Sequence, residues 1–315
     1  MITPTLLEKL GFTFEDSSYI LENDILYGNV ISTVAEEYMS QNGFDYIIPY
    51  SLNEFYEKRN LAENSIKRCR KLCSSCDNEY IIYLIFWLYC VPLAKKYYDK
   101  HNISDAVFYD TVSDLACKTN ECKASYKKCG VSAISADWFA LLFDFKVFAL
   151  GRLQYFCETY SFNDYKFGNY TLKKGDTVYS CHIPSNGKLE TNLCLESMQK
   201  AYDFFKPKLN STILPIICES WLLYPPYVNE VFIQDGNIVK FAKLFDITET
   251  ISSGREFLDC PRVFSKWYNG STEGFASDTP LKRNFIKYID SGRDFGYGLG
   301  IILYDGEKKQ IINKA

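Results

Sequence analysis

Cys69, Cys73 and Cys76 stand at the C-X3-C-X2-C spacing at which three thiolates ligate irons of a cluster, the arrangement used for radical S-adenosylmethionine chemistry. Their surroundings, Ile66-Lys67-Arg68-Cys69-Arg70-Lys71-Leu72, read as helix, with no strand before them and no glycine-rich partner motif after. In a chain with 12 cysteines such a spacing arises by coincidence. A zinc site joining Cys73 and Cys76 to Cys117 and Cys122 is the other metal reading, and reduced helix cysteines are the alternative to both. We expect no metal.

The chain has two histidines, His101 and His182, so mechanisms that require a histidine pair are excluded, including the zinc site of His-Glu-X-X-His proteases. His101 lies in a Lys100-His101-Asn102 loop and reads as solvated. His182 ends a strand and precedes Ile183-Pro184, where it serves either catalysis and ligand contact or a structural hydrogen bond. The turn that follows runs through Ile183, Ser185, Asn186, Gly187, Lys188 and Leu189 into a helix. A strand feeding a turn and a helix N-terminus aims backbone N–H groups at an anion, and a pyrophosphate would fit there. Gly296-X-Gly298-X-Gly300 looks like a dinucleotide loop, but it precedes its strand instead of following one, so we expect a bend into the last strand.

These groups must be positioned by two differently textured regions. Up to about Gly130 the pattern is helical, as in the spacing of Val30, Val34 and Tyr38. The apolar run Tyr80 to Ala94 is too short to span a bilayer and reads as a buried helix. Near Ala133 the texture changes, and we place the domain boundary at 135/136, giving a helical domain over 1–135 and a second domain over 136–315. In the latter, Val147 to Phe156 alternates, with Arg152, Gln154 and Glu158 as polar members. Thr177 to Ile183 reads as a strand, Thr191 to Phe205 as a helix, Ile213 to Cys218 as a central strand, Pro225 to Phe232 as a helix and Ile238 to Ile247 as a strand. A helix over Thr279 to Ile289 and a strand over Gly298 to Tyr304 complete an α/β (α+β) layer with a mixed sheet.

Composition narrows the function. The 315 residues are 47% hydrophobic and 23% charged, which is the balance of a folded protein. A formal charge of −4 with scattered Lys and Arg gives nucleic acid no concentrated partner. The N-terminal residues lack a basic segment leading into an apolar one, so we expect a cytoplasmic protein without a membrane span, its cysteines reduced.

Several blocks in the second half carry a family likeness: Leu150-Gly151-Arg152-Leu153-Gln154-Tyr155, His182-Ile183-Pro184 with Leu189 and Ser197-Met198, then Cys218-Glu219-Ser220-Trp221-Leu222-Leu223. Asn237-Ile238-Val239-Lys240-Phe241, Arg262-Val263-Phe264 and Thr279-Pro280-Leu281-Lys282-Arg283 follow in order. This half resembles the GNAT-like C-terminal domain of a bacterial family of acyltransferase-domain proteins, whose members pair it with a helical N-acyltransferase N-terminal domain.

The resemblance implies a GNAT-type fold in which acyl-CoA, as cosubstrate, wedges between two splayed parallel strands, here Thr177 to Ile183 and Ile213 to Ser220. Its pyrophosphate would meet the turn Pro184 to Leu189. Direct attack by an amine on the thioester needs a base, and Glu219 fits, since desolvation at the end of an apolar strand raises a carboxyl pKa. The alternatives for this work are His182 as base and, for Glu219, a structural pair with Arg152. Tyr224 and Tyr227 stand where such enzymes place a phenolic acid. Cys181 reads as a packed thiol or a nucleophile. Two departures stand out: the Arg/Gln-X-X-Gly-X-Gly/Ala signature is absent, with only Gly187 in the turn, and Glu219 replaces a histidine carried by many relatives. The expected partners are acyl-CoA and an amine-bearing small molecule or peptide, or an acyl carrier protein. The alternative function is an inactive GNAT-like module that binds acyl-CoA, acyl carrier protein or peptide.

Overall fold

A computed structural model describes residues 1–42, 49 and 52–314. The chain divides into two compact units, 1–149 and 150–315. The first is helical: α1 (Pro4–Lys9), α2 (Phe14–Met39), α3 (Leu52–Leu72), α4 (Glu79–Lys100), α5 (Asp105–Val112), α6 (Asp114–Tyr126) and α7 (Ala136–Phe143), ending in the short strand β1 (Val147–Ala149). Thr13 caps α2, its hydroxyl accepting from the Asp16 N–H at 3.1 Å. Over Ile81 to Leu88 helix α4 is apolar all round, because that stretch is buried all round inside the unit. Trp87 at its centre is fully buried and stacks on Phe143 of α7, ring centroids 5.2 Å apart. No described helix is long and apolar enough to cross a membrane.

The second unit contains β2 (Gln154–Thr159), the hairpin β3 (Tyr165–Phe167) and β4 (Tyr170–Leu172), β5 (Thr177–His182), α8 (Thr191–Phe205), β6 (Ile213–Ser220), α9 (Pro225–Glu230), α10 (Asn237–Ala242), β7 (Asp246–Gly254), α11 (Cys260–Phe264), α12 (Pro280–Asp290), β8 (Phe295–Asp305) and β9 (Gln310–Ile311). Its main sheet runs β2-β5-β6-β8-β7, with β9 on β8. The β5–β6 pair is parallel and the others are antiparallel, so the sheet is mixed as expected.

Each face of this sheet has its own cover. Helix α8 packs one face through Cys194, Met198, Ala201 and Phe205, with Phe205 4.4 Å from the Tyr179 ring. Ser197 of the same stripe is fully buried, donates to the Leu150 carbonyl at 2.6 Å and accepts from the Leu153 N–H at 3.1 Å. The opposite face presents Val178, Ile217, Leu299 and Ile301 to Tyr160, Tyr165 and Leu172.

Three expectations need correction. The alternating run Val147 to Phe156 is broken at Gly151, whose φ of 88° and the Leu150 N–H to Leu153 carbonyl bond turn the chain between β1 and β2. Ile238 to Ile247 is helix first and strand later: Val239 and Ala242, three apart, are buried together in α10, and β7 starts only at Asp246. Gly296, Gly298 and Gly300 are no bend but lie inside β8. A Cβ on Gly298 would collide with the Leu223 backbone and one on Gly296 with the Ile251 carbonyl and the Tyr224 ring, so the glycines let the segment after β6 lie flat on the strand.

Candidate active site

Strands β5 and β6 pair only at Tyr179 with Ile216 and Ser180 with Ile217. Beyond that point two residues of β5, Cys181 and His182, and three of β6, Cys218 to Ser220, run on without pairing each other. Each keeps its other neighbour: His182 is opposed to Gln154 of β2, and Glu219 to Leu299 of β8. The sheet therefore opens between its two parallel strands, with His182 on one lip and Glu219 on the other.

Glu219 is exposed and has no hydrogen bond or ion pair among the described residues. Its carboxyl pKa is raised by desolvation, as expected of a carboxyl at the end of the apolar run Leu214 to Cys218. The pairing considered with Arg152 is not formed. Arg152 instead donates from Nε to the Lys188 carbonyl at 2.9 Å and from Nη2 to the Gly187 carbonyl at 2.8 Å. A carboxyl also stands on β2, one strand beyond β5: Glu158, opposite Val178, has its pKa raised by burial and by the Glu219 charge, with Ser180 acting against the rise.

The turn after β5 leaves Ser185, Asn186, Gly187 and Lys188 exposed, Ile183 half-buried and Leu189 buried. Gly187 adopts φ 144°, a conformation that side chains disfavour. The turn delivers the chain to α8, whose N-cap residue Glu190 makes no side-chain capping bond, so the first-turn N–H groups of a 15-residue helix carry the positive end of its dipole toward the turn.

The phenols divide. Tyr224 packs across Gly296 beside β8, with its ring 4.8 Å from that of Tyr227. Tyr227 is buried among Phe232, Phe257, Phe285 and Tyr288, and burial drives its pKa far up. Cys181 is a packed thiol: the neighbouring Cys218 thiol and burial push its pKa well above the ordinary thiol value, and a neutral thiol is a poor nucleophile. Cys69, Cys73 and Cys76 are buried, and among the described residues no three His, Cys, Asp or Glu side chains converge as a metal ligand set. The sequence reading passed over Gln154, Glu158 and Ser180 as site residues. For Gln154 and Glu158 the signal was polar alternation along β2; Ser180, on β5, had none.

Comparison with known proteins agrees with this geometry. The N-acyltransferase N-terminal domain model matches residues 52–145, and the GNAT-like C-terminal domain model matches residues 147–302. Comparison with the curated proteins finds no match. Among solved structures, an acyltransferase in complex with decanoyl-CoA is 18% identical with a TM-score of 0.67, over 94% of this chain and 86% of that one. A mutant acyltransferase in complex with octanoyl-CoA is 17% identical with a TM-score of 0.65, over 95% and 86%. An acyltransferase in complex with decanoyl-CoA and teicoplanin is 18% identical with a TM-score of 0.60, over 96% and 99%. This chain shares their fold. It belongs to the proteins that join an N-acyltransferase N-terminal domain to a GNAT-like C-terminal domain.

Proposed function

We propose that the chain is an acyl-CoA-dependent N-acyltransferase that moves an acyl group from a thioester to an amine by direct attack. The observation that carries this reading is the opening between β5 and β6, where the pairing stops after Ser180 and Ile217. A pantetheine arm fits such a gap because its amides would pair with the strand N–H and C=O groups that no neighbouring strand takes. The pyrophosphate would lie against Ile183 to Leu189 and the start of α8, where Lys188 adds charge and the helix dipole favours an anion. The fold relatives bind decanoyl-CoA and octanoyl-CoA, which supports a fatty acyl donor here. One of them binds teicoplanin as well, in keeping with an acceptor brought to the same fold.

In this mechanism the amine gives its proton to Glu219 as its nitrogen attacks the thioester carbon. Backbone N–H groups at the open strand edges stabilise the oxyanion, and the leaving thiolate takes a proton from Tyr224. His182, on the facing lip, is the other candidate for base. Tyr227, also weighed as the acid, sits in the aromatic core and serves packing better than proton transfer. The helical region, 1–135, and the GNAT-like region, 136–315, are proposed to act as separate domains.

Glu219→Gln tests the base. The variant keeps its shape and, because Glu219 has no partner to lose, its melting temperature should stay close to the wild type. Amine-dependent release of CoA from decanoyl-CoA should fall by about 10²- to 10⁴-fold. Retained release assigns the proton to another group, with His182 next in line.

A further inference from the structure

The pleat of β8 sends its even-numbered residues to one face of the sheet and its odd-numbered residues to the other. Tyr224 and Leu223 pack where side chains on Gly296 and Gly298 would point, so the segment after β6 lies on the even face. Directly opposed residues share a face, and Glu219 is opposite Leu299, so Glu219 projects from the odd face. Glu219 and Tyr224 are therefore on opposite faces. The phenol that shares the face of Glu219 is Tyr297, two residues from Leu299 and opposite Ile251 of β7.

Its surroundings single Tyr297 out. Of the 11 residues of β8 it alone is not buried. The apolar part of this face, with Ile217, Leu299 and Ile301, is covered by Tyr160, Tyr165 and Leu172. Past Leu299 the cover ends, leaving Glu219 exposed and Tyr297 half-buried. The Tyr297 hydroxyl makes no hydrogen bond among the described residues. Burial holds its pKa above the ordinary phenol value, with the charges of Asp259 and Glu219 adding to the rise, so the hydroxyl is neutral and can both donate and accept. Glu249, opposite Leu299 on β7, is the other polar side chain of this stretch, but Asn163 holds it, donating from Nδ2 at 2.9 Å. Diagonal neighbours on paired antiparallel strands stand about 7–8 Å apart, within reach of an aromatic side chain. Tyr297 and Glu219 can thus meet on one small group without touching each other.

We propose that Tyr297 is a catalytic residue of the transfer, its Oη accepting a hydrogen bond from the attacking nitrogen while Glu219 accepts the proton that leaves. An uncharged primary amine brings two N–H groups and one lone pair. With one N–H on Glu219 and the other on Tyr297, the lone pair is left aimed at the thioester carbon. It forms the C–N bond, the C–S bond breaks as the tetrahedral intermediate collapses, the first proton passes to Glu219, and the second stays on nitrogen as the amide N–H. Nitrogen gains positive charge as it attacks, so its bond to Tyr297 is stronger in the transition state than in the bound amine and shows in kcat. This role rests on the acyltransferase reading and adds a residue to it; Tyr224, on the other face, keeps the leaving thiolate.

The test is release of CoA from decanoyl-CoA by the full chain, with hydroxylamine as the probe because it is uncharged at neutral pH. Tyr297→Phe removes a hydroxyl that has no partner to lose, so its melting temperature and its KM for decanoyl-CoA should match the wild type. Its kcat with hydroxylamine should fall about tenfold or more, the effect of one hydrogen bond to a charged group. In the Glu219→Gln background the same change should cost much less, because both groups act on one nitrogen. Wild-type kcat in Tyr297→Phe, or an equal fall in both backgrounds, overturns the role and leaves the acyltransferase reading standing. A fall that comes with a raised KM for decanoyl-CoA or a lower melting temperature also overturns it, since those changes mark a residue that shapes the fold or the donor site. A wild type that releases no CoA with hydroxylamine overturns the acyltransferase reading, and the role of Tyr297 with it.

Discussion

Arg152 and Lys188 are joined by a 2.9 Å hydrogen bond from the guanidinium Nε to the backbone carbonyl, so the chain just before β2 holds the turn that follows β5. A second bond, to the Gly187 carbonyl at 2.8 Å, completes a planar fork on two successive peptides. The turn lacks the usual glycine-rich signature, and this clamp fixes its shape from outside.

Arg152→Ala is expected to weaken CoA binding through a looser turn, and Arg152→Lys should fail to restore it because a single ammonium cannot span both carbonyls. Titration calorimetry with free CoA reads the effect directly. Unchanged affinity in both variants would show that the clamp is irrelevant to the ligand.

Gly298→Ala should destabilise the second unit by about 1–3 kcal/mol or more, since its methyl would meet the Leu223 backbone, which cannot move as a side chain can. Gly187→Ala, with open space around the position, should cost only the strain of its positive φ. Urea unfolding of the two variants ranks them, and the reverse order would contradict the packing described for β8.

Much of this arrangement was legible in the sequence, and the misses share a cause. Helix α8 was read with its observed bounds because Cys194, Met198, Ala201 and Phe205 repeat at helical spacing over 15 residues. Helix α10 was misread because six residues are too few to separate a period of 3.6 from one of 2. The glycines of β8 were misassigned because their reason is the segment after β6 packing on them, a tertiary contact with no local signature. In the site, His182 and Glu219 could be picked out as strand ends, whereas Gln154 and Glu158 join them only through the register of β2 with β5. Register depends on pairing partners that a single strand does not name.

The two carboxyls also predict a pH dependence. Both Glu158 and Glu219 have raised native pKa values, the first by burial and by the charge of the second, and the second by desolvation. Between the ordinary carboxyl value, about 4.3, and the raised native value, the folded chain holds protons that the unfolded chain has released. Stability therefore falls as pH rises through that window. Glu158→Gln should flatten this fall, seen as a smaller drop in urea midpoint from about pH 4.5 to pH 7 than in the wild type. A steeper drop in the variant would mean that Glu158 is paired with a cation in solution.

The account stands on the opening between β5 and β6 as the seat of acyl-CoA. Hydrogen exchange of the full chain with and without decanoyl-CoA tests this most directly, because bound ligand slows exchange of the amides that it covers or pairs with. The expected result is new protection at residues 183–189, at the first turn of α8 and at 218–220, with little change along β7. Protection confined to other segments, or no binding of decanoyl-CoA at all, would contradict it.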